Sequence, residues 1–212
     1  MLIDVLARLL HNRRLGILLS GRGSNFETIA ENIASGRLNA EIAVVISNVE
    51  SALGLARAKA RGLNAVFIPS KNRSREDFDR EAVQILKSHN VSLVILAGFM
   101  RILSRVFLEA YPYGILNIHP SLLPSFPGKD VQQGVLDYGV KFSGCTVHFV
   151  DDALDGGPIV AQTVVPILDT DTAPTLAARI LEQEHRIYSE AIDLVLSGRC
   201  SIEGRRVSIS KS

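Results

Sequence analysis

Leu15-Gly16-Ile17-Leu18-Leu19-Ser20-Gly21-Arg22-Gly23-Ser24-Asn25 decides the fold: an apolar run enters a glycine-bearing turn and leaves it in a helical pattern, Phe26–Ala34. Similar apolar runs recur at Ile42–Ser47, Ala65–Ile68, Leu93–Ala97 and Ile115–Ile118. Each is nearly continuous in apolar residues, as strands are when helices cover both faces of a parallel sheet. Helical patterns separate them at Leu53–Arg61, Arg75–Ser88 and Arg105–Ala110. Strand and helix alternating at this spacing predict an α/β fold with a doubly wound, mostly parallel sheet.

After His119 the rhythm changes. Pro120, Pro124 and Pro127 exclude regular helix and central strand from their segment. A short helix (Val131–Tyr138) and two strands (Thr146–Val150, Ile159–Val165) follow, the strands joined by the loop Asp151–Pro158. Thr172 is placed to cap a long helix with Pro174 in its first turn, and Gly198 marks its end. No repeat, low-complexity tract or linker interrupts the chain. It reads as an N-terminal helical extension (1–14), one compact domain (15–200) and a C-terminal tail (201–212).

The 212 residues are 47% apolar and 21% charged, which excludes a mostly disordered chain. Lys and Arg number 23 against 22 Asp and Glu, so no basic excess marks a dedicated nucleic-acid binder. The longest apolar run, Leu93–Met100, is well short of the ~20 residues that span a bilayer. Asp4 stands where a secretory leader needs positive charge, and Cys145 and Cys200 are too few for a disulfide scaffold. A soluble, cytoplasmic protein is expected, monomeric or homodimeric, with no membrane or nucleic-acid partner.

The turn Ser20–Asn25 has the chemistry of an anion cradle. Glycines let the backbone approach closely, helix-start amides point at the anion, and Ser24 and Asn25 add side-chain donors, either able to cap the helix. The third glycine of a dinucleotide fingerprint would fall at Phe26, and no Gly-Lys-Ser/Thr closes the loop. A single phosphate of a small metabolite fits better than a dinucleotide or a nucleoside triphosphate. The alternative is a tight strand-to-helix turn with nothing bound.

Asn117-Ile118-His119-Pro120-Ser121-Leu122-Leu123-Pro124 holds the other cluster. Asn117 and His119, two apart on a strand, leave the same face where open α/β sheets place ligands. An amide donor beside an imidazole can stabilise an oxyanion and move a proton, and Asp155 could supply a third group. Taken alone, Asp155 fits a turn residue, His148 a partly buried strand histidine and His185 a helix-surface residue. No His-Glu-x-x-His pair points to zinc, so no metal is expected.

These segments resemble the folate-dependent formyltransferases. The resemblance rests on Asn117–Pro124 together with Ser20–Asn25, Ala97–Leu103, Thr146–Val150 and Leu154–Pro158, in order along about 15–198. It narrows to the branch acting on glycinamide ribonucleotide in purine synthesis, and implies a Rossmann-like formyltransferase fold. The implied reaction moves a formyl group from the co-substrate 10-formyltetrahydrofolate to the primary amine of glycinamide ribonucleotide. By resemblance, Gly23, Ser24 and Asn25 would hold the phosphate and Glu184 would contact the ribonucleotide. Arg75, Met100, Arg101, Ile102 and Leu103 would line the folate side, with Asn117 and the Asp151, Asp152, Ala153, Leu154 wall opposite. Asn117, His119 and Asp155 would be the catalytic trio.

Simpler readings stand beside these roles: Met100 and Leu103 as core, Arg75 as a solvated first-turn residue, Glu184 as a helix-surface pair. Many relatives carry histidines shortly after the Pro127-Gly128 equivalent, where this chain has Lys129-Asp130-Val131-Gln132-Gln133. Three rival activities are discriminable. A methionyl-tRNA formyltransferase should carry a sizeable C-terminal domain, and a formyltetrahydrofolate deformylase an N-terminal regulatory one. In a non-catalytic nucleotide-binding module, Asn117 and His119 would be structural.

Overall fold

In β1 (Arg14–Leu19), Leu15, Ile17 and Leu19 point to one face of the sheet and Leu18 to the other, and all four are fully buried. A strand apolar on both faces needs helices on both, and the following elements supply them. The computed structural model describes residues 12–210. β1 is followed by α1 (Ser24–Ala34), β2 (Glu41–Ser47), α2 (Leu53–Ala60), β3 (Ala65–Phe67), α3 (Arg75–Ser88), β4 (Leu93–Leu96), α4 (Arg105–Ala110) and β5 (Ile115–His119). These five strands pair in parallel in the order β3-β2-β1-β4-β5. The chain winds outward from β1 to β3, then crosses back to β4, so the sheet is doubly wound as the sequence predicts.

The remainder adds α5 (Val131–Tyr138), β6 (Phe142–Phe149), β7 (Ile159–Pro166), α6 (Ala173–Leu196), and a hairpin of β8 (Cys200–Glu203) with β9 (Arg206–Ile209). β6 runs antiparallel to β5 and β7 antiparallel to β6, completing a seven-stranded sheet. α1, α2, α5 and α6 pack on one face; α3 and α4 cover the other. At Gly16 a Cβ would come within 2.2 Å of Leu86 Cδ2, so the missing side chain lets α3 lie close on β1.

α6 has the cap its sequence announces. The Thr172 hydroxyl accepts from the Thr175 N–H, and Thr175 Oγ1 accepts in return from the Thr172 N–H at 2.9 Å. Its inner face buries Leu176, Ile180, Ile187, Tyr188, Ile192 and Val195. The Tyr188 hydroxyl lies 3.0 Å from the carbonyls of both Leu96 and Leu116, sharing its one hydrogen between the last residue of β4 and the second residue of β5. This fixes α6 against the two strands that lead into the candidate site.

Some boundaries differ from the sequence reading. Arg14, assigned to the extension, is already the first residue of β1, while the helix expected for that extension falls mostly outside the described residues. β6 starts at Phe142, four residues earlier than expected, because Ser143 and Gly144 pair with Val165 and Val164 of β7. The segment 201–212, which the sequence left without a reading, begins inside the β8–β9 hairpin. Among the described residues no helix is long and apolar enough to cross a membrane.

Candidate functional site

β1, β4 and β5 lie side by side and all end at the same sheet edge, with Leu18 opposite Leu96 and Leu96 opposite Asn117. The glycine turn, the segment after β4 and the Asn117–His119 strand end therefore meet where the winding reverses, the crevice in which such sheets bind ligands. Ser20 ties the first two together. Its N–H donates to Gly98 O (3.0 Å), while its hydroxyl accepts from the Met100 N–H (2.8 Å) and donates to Asn48 Oδ1 (2.6 Å).

The turn itself is made by Gly23, which stands at φ +74° as the N-cap of α1. A Cβ there would lie 2.6 Å from Gly54 Cα, so glycine is required both by the left-handed backbone and by the close approach of α2. Neither Ser24 nor Asn25 caps the helix, contrary to the sequence expectation: α1 already begins at Ser24, and its N-cap, Gly23, makes no side-chain cap hydrogen bond. Asn25 is engaged elsewhere, its Nδ2 donating to Glu184 Oε2 at 2.8 Å. Glu184 is not a helix-surface residue. It sits on the buried face of α6, one turn before Tyr188, and burial pushes its pKa up against the pull of the Asn25 hydrogen bond.

At the other end of the crevice, His119 and Asp155, far apart in sequence, come together with Nδ1 3.4 Å from Oδ2. The His119 Nε2 lies 2.9 Å from the Phe126 carbonyl, which can only accept, so this nitrogen carries a hydrogen. Asp155, at φ +49° in its loop, also accepts the Gly128 N–H at 2.8 Å. The proline-rich segment between them is pinned to the antiparallel strands. Leu123 N–H donates to Thr146 Oγ1, that hydroxyl donates to Ser121 O, and Gln162 Nε2 donates to Leu123 O.

His148 belongs to this cluster, although the sequence reading set it aside. It stands opposite Asn117 across the β5–β6 register and is 2% exposed, more deeply buried than expected. Its Nδ1 is 2.8 Å from the Phe149 carbonyl and so carries the ring hydrogen. Nε2 then offers a lone pair to the Asn117 amide at 3.1 Å, which sets that amide's orientation. Nε2 also lies 3.9 Å from Asp155 Oδ1. Burial, the largest influence, holds the His148 pKa below the ordinary value, favouring the neutral ring this hydrogen bond needs. The sequence reading gives His148 no site role because its partner comes from strand pairing; its alternation with Val147 and Phe149 and its place in the Thr146–Val150 segment are the signals that point to it.

Of the folate-side positions, Met100 and Ile102 are exposed at 65% and 58%, whereas Leu103 is core. Arg75 is an exposed first-turn residue of α3, and the Arg101 guanidinium lies 4.7 Å above the Phe78 ring. Asp152, Ala153 and Leu154 are exposed on the loop before Asp155, with Asp151 half-buried at its base. His185, expected on the helix surface, is half-buried. Burial pushes the Cys145 thiol up to about 12, with Glu184 adding to it, so it is no nucleophile. Among the described residues, no group of three or more His, Cys, Asp or Glu side chains is arranged to hold a metal.

A sequence profile described as formyl transferase matches residues 13–192. The chain belongs to the formyl transferase family. This formyl transferase chain is 42% identical over 193 residues to the trifunctional purine biosynthetic protein adenosine-3 of Drosophila melanogaster, covering 90% of itself but only 14% of that protein. With the phosphoribosylglycinamide formyltransferase of Escherichia coli (strain K12) it shares 40% identity over 184 residues, 86% of this chain and 87% of the other. The fold superposes on the crystal structure of glycinamide ribonucleotide transformylase 1 from Symbiobacterium toebii with a TM-score of 0.93, 48% identity and 95% coverage of each chain.

Proposed function

We propose that this chain transfers the formyl group of 10-formyltetrahydrofolate to the primary amine of glycinamide ribonucleotide. The observation that carries this reading is the approach of Asp155 to His119 at 3.4 Å, beside Asn117 and on the same sheet edge as the glycine turn. The similarity to an E. coli enzyme named for this reaction, over most of both chains, supports it. A single phosphate enters the Gly23–Asn25 turn, with Glu184 beside Asn25 to meet the ribonucleotide. The folate lies along Met100–Leu103 between Arg75 and the Asp151–Leu154 wall.

The neutral amine attacks the formyl carbon, forming the C–N bond and moving the carbonyl electron pair onto oxygen. One Asn117 N–H is committed to His148, and the other is free to donate to the developing oxyanion. Protonated His119 adds a charge-assisted donor. To reach the substrate oxygen with Nε2, it must exchange the Phe126 carbonyl for it. Asp155 stabilises the imidazolium and, through an ordered water, helps pass a proton from the attacking amine to the departing folate nitrogen. Collapse of the tetrahedral centre breaks the bond to that nitrogen and yields formylated ribonucleotide and tetrahydrofolate. The trio needs no covalent enzyme intermediate.

The test is an absorbance assay of folate deformylation by the purified full chain, with and without the ribonucleotide. Release should occur only when the ribonucleotide is present. Release without it would make the protein a hydrolase, and no release in either case would leave a binding module.

A further inference from the structure

The segment between β4 and α4 is gripped at both ends, and only one grip lies in the glycine turn. Ser20 holds its start through Gly98 and Met100. Its far end is held from α3, on the opposite face of the sheet. Asp79, 1% exposed, accepts the Ser104 N–H with Oδ2 at 2.5 Å. One residue earlier, Phe78 stacks on Phe99 with ring centroids 6.1 Å apart, and carries the Arg101 guanidinium on its ring. Asp79 also feels the charges of Arg101 and Arg75, which pull against the burial that raises its pKa. A buried carboxylate costs folding free energy unless its surroundings use it. Here its hydrogen-bond partner is a backbone amide two residues beyond the exposed Ile102.

We infer that Asp79 is a positioning residue for the folate side. By accepting the Ser104 N–H and facing Arg101, it holds Met100–Leu103 in the conformation that receives the pterin ring. The inference rests on the proposed placement of folate along that segment. Asp79 touches neither substrate nor the trio, so losing it changes the fraction of molecules with the segment correctly set. The penalty falls on the apparent affinity for one substrate and spares the chemical step.

The measurement is steady-state kinetics of the full chain with each substrate varied in turn. Asp79→Ala removes acceptor and charge together, and should raise KM for the formyl folate about tenfold, the scale of one buried hydrogen bond. KM for the ribonucleotide should stay unchanged and kcat should move less than about twofold. Asp79→Asn keeps an acceptor oxygen but loses the charge, and should raise the folate KM about threefold. An equal rise in both KM values for Asp79→Ala, or an unmoved folate KM, would overturn the assignment. If Asp79→Ala does not fold, Asp79→Asn decides: an unchanged folate KM overturns the inference. Ile102→Asp, at an exposed position of the segment, separates the two levels. If it raises the folate KM while the Asp79 variants do not, only the role of Asp79 fails. If none of the three moves it, the placement of folate fails as well.

Discussion

The two ends of the crevice are built in different ways. The glycine turn is local: six consecutive residues after β1 form it, and backbone geometry at Gly23 does most of the shaping. The Asn117–His119–Asp155 end is assembled from β5, β6 and two loops, through hydrogen bonds among side chains and carbonyls. A backbone-built site should be sensitive to the addition of one methyl group and tolerant of side-chain trimming. A side-chain-built site should show the reverse.

The largest expected effect falls at the assembled end. Asp155→Asn preserves the shape but removes the charge beside His119, and should lower turnover ~10²–10³-fold with little change in the affinity for either substrate. Single-turnover kinetics beside equilibrium binding would show it. Turnover within threefold of the parent would remove Asp155 from the chemistry.

At the local end, Gly23→Ala should raise KM for the ribonucleotide about tenfold and cost ~1–3 kcal/mol of stability. The strain comes from the left-handed backbone and the contact with Gly54. Ser24→Ala, which leaves the backbone amides in place, should change that KM no more than about threefold. If Ser24→Ala proves the more damaging of the two, the turn works through side chains and the contrast collapses.

The smallest effect is a pH dependence of stability. An imidazole whose folded pKa is depressed, as burial depresses that of His148, is protonated more readily in the unfolded chain. Stability therefore falls as pH drops from about 6.5 towards the lower folded value, with a slope of at most ~1.4 kcal/mol per pH unit for one group. His185, also depressed by burial, adds to the same window. Urea midpoints at several pH values for the parent and His148→Gln would measure it; the variant should show the shallower slope.

The same contrast explains how much the sequence disclosed. Strand and helix periodicity is local, so the bounds of α3, α4 and α5 agree with the pattern of their residues, and Ser74 caps α3 by accepting from Asp77 N–H. The candidate site positions came from the resemblance of consecutive segments, and the fold brings His119 and Asp155 together beside Asn117. What was not legible is what distant residues do to one another. His148 acquires its partner only when β6 pairs with β5, and Asn25 turns away from its own helix end because Glu184 is waiting on α6. Asp79 gave no signal, since an acid in the first turns of an amphipathic helix ordinarily faces water.

Asp155 has one more consequence. The oxygen that faces His119 also receives the Gly128 amide, so the carboxylate fastens the proline-bearing loop to the loop that carries it. Rotating that side chain would unfasten the two loops from each other and leave the imidazole held only through its Phe126 contact. Loop order at Gly128, followed by amide exchange, therefore has to be read beside turnover in every position-155 variant, to tell a lost proton relay from an open door.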